Sequence, residues 1–223
     1  MEFAVVRSRA ESGLQAPPVL VEVHLSNGLP AFNMVGMPET AVRESKDRVR
    51  SALINSHFDV PDRRITVNLA PADLPKSSGR FDLPIALGIL AASGQLPGEC
   101  LLQREFFGEL ALDGSLRPVR GLLPAIMVAT REGARAVIPR DNTWPGIPLP
   151  AGRLLPAADL LSLCACLRGR VPFDEPKACP ADNAAATSAA DLAEVLDQPA
   201  ACRALEIAAS GGHNLLLFGP PGT

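Results

Sequence analysis

The chain has 223 residues, 47% of them apolar and 20% charged, with a net charge of −3. That apolar fraction excludes general disorder, the net charge argues against strong non-specific attraction to nucleic acid, and no run of about 18 apolar residues offers a membrane span. The opening Met1-Glu2-Phe3-Ala4-Val5-Val6 lacks the basic region and cleavage site of a secretion signal, so no membrane partner and a cytoplasmic address are expected.

Twenty-two prolines and 18 glycines favour many short elements over long helices. Phe3 to Ser8 reads as a first strand. Val19 to Leu25 alternates, with Val19, Val21, Val23 and Leu25 on one face and Leu20, Glu22 and His24 on the other. Ser26-Asn27-Gly28 reads as a hairpin turn, which predicts that Ala31 to Val35 pairs back with it. A helix is expected from Pro38-Glu39-Thr40 to about His57, its polar face carrying Arg43, Lys46, Arg48 and Arg50. Arg64 to Leu69 is β-branched and alternating, hence strand. Asp82 is placed to cap a helix from Leu83 to about Ser93, apolar almost all round.

Phe106 to Leu112 and Ser115 to Val119 read as a second hairpin about Asp113-Gly114. A helix from Gly121 to Arg131, a short buried strand over Ala136 to Pro139 and a helix from Ala157 to Leu167 complete a body of residues 1–170. Residues 171–190 are rich in Ala and Pro and read as a linker. Ala190 to Ala209 is expected to be helical, with Leu192, Val195, Leu196 and Leu205 inward. Leu215 to Phe218 is expected to be a buried strand. The body holds 19 Lys+Arg against 17 Asp+Glu and residues 171–223 hold 2 against 7, a split that names no partner.

The five cysteines read as reduced thiols. Cys164 and Cys166 sit on an apolar helix and point to different faces, which suits core packing better than zinc. His24, His57 and His213 show no metal spacing, and no metal site is expected.

The phosphate loop requires Gly-x-x-x-x-Gly-Lys-Ser/Thr between a buried strand and a helix. Gly219-Pro220-Pro221-Gly222-Thr223 follows the apolar strand and opens this Walker A pattern as a partial nucleotide-binding loop. The second glycine, the lysine and the hydroxyl residue are not in this sequence, so the chain alone is expected to bind nucleotide poorly and to hydrolyse none.

Residues 203–223 resemble the start of a magnesium-chelatase-like AAA+ ATPase domain. The body resembles the leader domain of the same family. The stretches that carry this are Gly-Met-Pro-Glu-Thr-Ala-Val-Arg-Glu-Ser at 36–45, Val-Asn-Leu-Ala-Pro-Ala-Asp-Leu-Pro-Lys at 67–76, Gly-Arg-Phe-Asp-Leu-Pro-Ile-Ala at 79–86 and Phe-Gly-Glu-Leu at 107–110. Together they resemble the YifB/ComM family along essentially the whole chain. The resemblance implies an α+β, two-layer α/β body with a Lon-protease-domain-like fold, of the type of the second domain of ribosomal small-subunit protein 5. It implies three parts: a Lon-like domain over 1–170, a linker over 171–190, and the first helix and strand of a P-loop AAA+ domain over 191–223. It further implies a hexameric motor in the full-length protein that uses ATP and Mg²⁺ and acts on DNA, by branch migration during transformation and recombination.

Residues 108–122 are similar to the Lon hairpin and helix start, where the catalytic lysine follows a Gly-Leu pair. Here that position holds Leu123, followed by Pro124, and neither accepts a proton. The nucleophile position falls on Arg80 or Phe81. Lys76 with Ser77 or Ser78 is the remaining source of Ser–Lys peptidase chemistry; a polar loop is the simpler reading of these residues. Asp73, Asp82, Glu109 and Asp113 offer carboxylates, with Asp82 read as a cap and Asp113 as a turn residue. Arg43, Lys46, Arg48, Arg50, Arg63 and Arg64 offer a basic patch, diluted by neighbouring acids and without stacking aromatics. The expectation is a leader domain without catalytic residues of its own. The alternatives are a Ser–Lys peptidase, a magnesium-chelatase-type ATPase subunit and a pure protein-interaction module.

Overall fold

A computed structural model describes residues 2–12, 15–36, 42, 44–74, 76, 79–142, 152–174 and 191–219. The chain divides into two compact units, Met1–Pro180 and Ala181–Thr223.

In the first unit the chain order is β1 (Phe3–Arg9), β2 (Pro18–Ser26), β3 (Ala31–Val35), α1 (Ser45–Asn55), β4 (Arg64–Ala70), α2 (Asp82–Ala92) and β5 (Arg104–Phe106). There follow β6 (Glu109–Leu110), β7 (Leu116–Arg117), α3 (Leu122–Arg131), β8 (Arg135–Pro139), β9 (Leu154–Ala157) and α4 (Leu160–Leu167). Seven strands form one sheet in the order β3-β4-β2-β1-β5-β8-β9, and β6 with β7 forms a separate two-stranded ribbon. Within the large sheet only β2 runs against its neighbours; the pairs β3–β4, β1–β5, β5–β8 and β8–β9 are parallel. The fold is mixed α/β with a mostly parallel central sheet.

The alternation read in β2 is real. Val19, Val21, Val23 and Leu25 are buried, while Leu20 and His24 are exposed. The inward rows of β1 and β2 meet α2, whose eleven residues are all buried, and the inward row of β4 belongs to the same core. Gly88 of α2 lets the helix approach closely, since a Cβ there would lie 2.5 Å from Val23 Cγ2. A second apolar cluster packs α3 over β8, through Ala125, Ile126, Ala136 and Ile138.

The first expected hairpin does not form. β3 pairs with β4 in parallel, and β4 stands between β3 and β2, matching β2 over seven residues from Leu20↔Ala70 to Ser26↔Arg64. The Asn27-Gly28 turn redirects the chain, but β4 offers β2 a full-length partner with Ile65, Val67 and Leu69 inward. The second hairpin forms between β6 and β7, whereas Phe106 belongs to β5 in the main sheet. The last helix of this unit begins at Leu160, capped by Asp159 accepting from Ser162 N. Residues 154–157 extend instead and pair with β8 along one edge.

In the second unit α5 (Pro199–Gly211) starts with proline at its first turn and ends on Gly212 in the left-handed conformation. Among the described residues 191–198, the helix expected from Ala190 is replaced by a short 3-10 turn at Leu192–Glu194. Leu192, Val195, Leu196 and Leu205, expected inward, are exposed. The expected strand over Leu215 to Phe218 is also overturned. These residues are irregular, with Leu216 84% and Phe218 95% exposed. A strand exists only through a hydrogen-bonded neighbour, and among the described residues none pairs with it. No helix among the described residues is long and apolar enough to cross a membrane.

Candidate functional site

In open α/β sheets, ligand and catalytic groups gather beyond the carboxyl ends of the parallel strands. Here those ends are Arg9 of β1, Val35 of β3, Ala70 of β4 and Phe106 of β5. Glu11, Gly36, Pro71 and Gly108 follow them in sequence. Hydrogen bonds then tie in the residues the sequence singled out: Lys76, Arg80 and Asp82.

Lys76 is fully buried. Its Nζ donates to Gly36 O at 3.0 Å and to Pro71 O, clamping the turn after β4 to the end of β3. Burial pushes the amine below the usual lysine range, and Asp73 opposes that. Ser77 and Ser78 lie outside the described residues. Arg80, one of the two residues at the expected nucleophile position, is equally buried. Its Nη2 donates to Glu11 Oε2 at 2.7 Å and to Arg120 O at 2.9 Å. Phe81, the other, is a core side chain. Leu123 and Pro124 lie in the first turn of α3 and bring no titratable group. The expected nucleophile and base positions therefore hold a guanidinium engaged by Glu11 and Arg120, a phenyl ring and two aliphatic residues.

Asp82 is not a cap. Phe81 takes the cap position without a side-chain bond. The Asp82 carboxylate is fully buried and accepts from Arg48 Nε at 2.7 Å, Arg48 Nη2 at 3.1 Å, Leu110 N at 3.2 Å and Ser45 Oγ. It joins α1, α2 and β6. Burial drives its carboxyl upward, and the Arg48, Ser45 and Leu110 donors pull it back, leaving it above the ordinary range. The other three carboxylates do not join it in a catalytic pair. Asp113 closes its turn through Ser115 N and Oγ, Asp73 is exposed in a loop, and Glu109 lies 3.7 Å from Arg117.

The basic patch is dispersed. Arg48 turns inward to Asp82, Arg63 pairs with Glu2 at 3.0 Å, and Arg43 lies outside the described residues. His24, His57 and His213 are exposed. Among the described residues no group of three or more His, Cys, Asp or Glu could hold a metal. Cys164 packs in the core and Cys166 is half-buried, its Sγ 3.4 Å from Pro172 O. Burial pushes the Cys164 thiol up to about 12. Since the thiolate is the reactive form, brief alkylation of the native chain at neutral pH should leave Cys164 unmodified while the part-exposed Cys100 and Cys202 react. Peptide mass spectrometry checks this, with Cys164 labelled only after denaturation.

Sequence reasoning missed a second buried ion network. Arg9 donates to Glu105 through Nε at 2.7 Å and Nη2 at 2.8 Å, to Ala16 O through Nη1 at 3.3 Å, and to Glu132. Its carboxylate partners lie 96 and 123 residues away, so no local spacing signals them. Of the partial phosphate loop, Gly219 is exposed and irregular, and Pro220, Pro221, Gly222 and Thr223 lie outside the described residues.

The family described as ChlI, subunit ChlI of Mg-chelatase, matches residues 21–142, and the one described as magnesium chelatase, subunit ChlI, matches residues 191–223. The chain is 49% identical over 224 residues to a protein of Salmonella typhimurium named YifB, and 48% identical over 223 residues to YifB of Escherichia coli. It is 50% identical over 226 residues to the competence protein ComM of Haemophilus influenzae. Each match takes in 100% of this chain and 44% of the relative, so the chain spans less than half the length of these curated relatives.

Proposed function

The chain belongs to the YifB/ComM family of magnesium-chelatase-like proteins, and from that premise we propose that residues 1–170 are a non-catalytic, Lon-like leader domain. In this reading residues 171–190 are a tether and residues 191–223 begin the ATPase motor of a cytoplasmic, ring-forming protein. The motor drives DNA branch migration with ATP and Mg²⁺, and the leader packs beside its copies and positions motor or DNA. The competence name carried by the Haemophilus influenzae relative supports a role in handling incoming DNA. One observation carries the leader's part: the positions expected to hold nucleophile and base hold Arg80 or Phe81 and Leu123 or Pro124, with Arg80 engaged by Glu11 and Arg120.

Residues 215–219 are irregular and exposed. ATP and Mg²⁺, when bound to the full-length motor, supply phosphoryl-transfer chemistry; no step of the leader's work runs through them.

The test uses the full-length protein on a DNA four-way junction. Lys76→Ala combined with Ser77→Ala and Ser78→Ala should leave the ATP-driven junction turnover within about twofold of the parent. Abolished turnover in a variant that still folds and assembles would point to hydrolase chemistry in the leader.

A further inference from the structure

The sheet reverses its winding between β1 and β5. From β1 the chain builds β2, β4 and β3 on one side, while β5, β8 and β9 lie on the other. The two central strands share a single register pair, Arg7↔Glu105. Such a switch point leaves a crevice at the carboxyl ends of the strands, the place where open α/β sheets take their ligands. A cavity of about 490 Å³ lies beside this point, between the carboxyl-end half of β1 (Arg7, Arg9) and Glu105 and Glu132, which precede the carboxyl ends of β5 and β8, and its volume is typical of small-molecule sites.

The lining gives the ligand's chemistry. Leu20 and Pro71 provide an apolar wall, and Arg7, Arg9, Glu105 and Glu132 provide the polar part. Arg9 presents two hydrogen-bonding edges. Glu105, itself buried, takes the side formed by Nε and Nη2. Glu132, with its side chain 58% exposed, approaches the other side through Nη2 and a long 3.5 Å contact to Nη1. The first carboxylate is fixed in the protein interior and balances the guanidinium charge. The second reaches in from the surface and can swing back to water. A bidentate anion fits the edge that Glu132 holds, with the exposed Arg7 as a second cation at the mouth.

We propose that the β1–β5 crevice is a binding site for a small organic anion, a phosphate monoester or a carboxylate on an apolar body, and that Glu132 occupies the anion's place on Arg9 until the ligand displaces it. The apolar body lies against Leu20 and Pro71. Lys76 and Arg80 do not line the cavity, although Lys76 holds the carbonyl of its Pro71 wall, and the site does not depend on the DNA reading above.

Calorimetric titration of the 223-residue chain tests this, with phenyl phosphate, benzoate and neutral phenol as probes. At least one anion should bind saturably and phenol should not; the tighter anion identifies the headgroup. Glu132→Gln removes the competing charge and should tighten that binding roughly tenfold, the worth of about one charge-assisted hydrogen bond. Leu20→Glu sets a carboxylate in the mouth and should abolish it at an unchanged melting temperature. Should Leu20→Glu unfold the chain, Arg7→Glu on the exposed side of β1 takes its place. No saturable binding, equal binding of phenol, or affinity indifferent to both substitutions overturns the proposal.

Discussion

Replacing Asp82 with alanine should destabilise the first unit by about 3–5 kcal/mol, the cost of removing one partner from a buried ion pair. Asp82 is fully buried and gathers four hydrogen bonds from Ser45, Arg48 and the Leu110 amide. Its loss leaves the half-buried Arg48 guanidinium without its carboxylate and the Leu110 N–H without an acceptor. These donors come from α1 and β6, so the damage spreads to the seating of both against α2. For a domain of this size the melting temperature should fall by roughly 10 °C. Asp82→Asn keeps an acceptor oxygen but loses the charge, and should cost less. Urea unfolding of the three proteins measures the order. A loss under about 1 kcal/mol for Asp82→Ala would show that the network contributes little.

The Arg9 network should respond in the same range but with a distinctive recovery. Arg9→Ala leaves Glu105, which is 4% exposed, as an uncompensated buried carboxylate, at a cost of about 3–5 kcal/mol. The double substitution Arg9→Met with Glu105→Leu removes both charges and restores apolar volume. It should recover much of the loss, because well-packed apolar replacements of buried ion pairs are often neutral. Glu132, exposed and reaching only one edge of Arg9, should cost much less when neutralised. A double-mutant cycle by denaturant unfolding measures the coupling; additive losses at Arg9 and Glu105 would contradict the paired reading.

Local signals were legible where burial obeys a simple period. The alternation of β2, the β-branched run of β4 and the all-round apolar character of α2 each report a face, or faces, turned to the core. Partner choice was not. Asn27-Gly28 marks a change of direction, yet which strand fills the place beside β2 is decided by β4, nearly forty residues on. Leu154–Ala157 carries too short a run to separate strand from helix, and its identity comes from pairing with β8. The Leu215–Phe218 run has strand composition without a described neighbour, so composition alone misled.

The candidate site divides in the same way. The inert side chains at Leu123, Pro124 and Phe81 could be read directly, because they carry no titratable group. What Arg80 does with its charge could not, since Glu11 and the Arg120 carbonyl are reached only through the fold. Asp82 stands where a helix cap is expected, and the Arg48 partner 34 residues earlier turns it into the centre of an ion network.

That residues 1–170 carry no working serine–lysine pair is tested most directly by covalent trapping. Full-length protein is exposed to a fluorophosphonate at alkaline pH, where a depressed Lys76 amine would be neutral and able to activate a hydroxyl, and is then digested and sequenced by mass spectrometry. No phosphonyl adduct should form on Ser77 or Ser78, and an unfolded casein substrate should not be cleaved. An adduct on either serine that disappears in Lys76→Ala would contradict it.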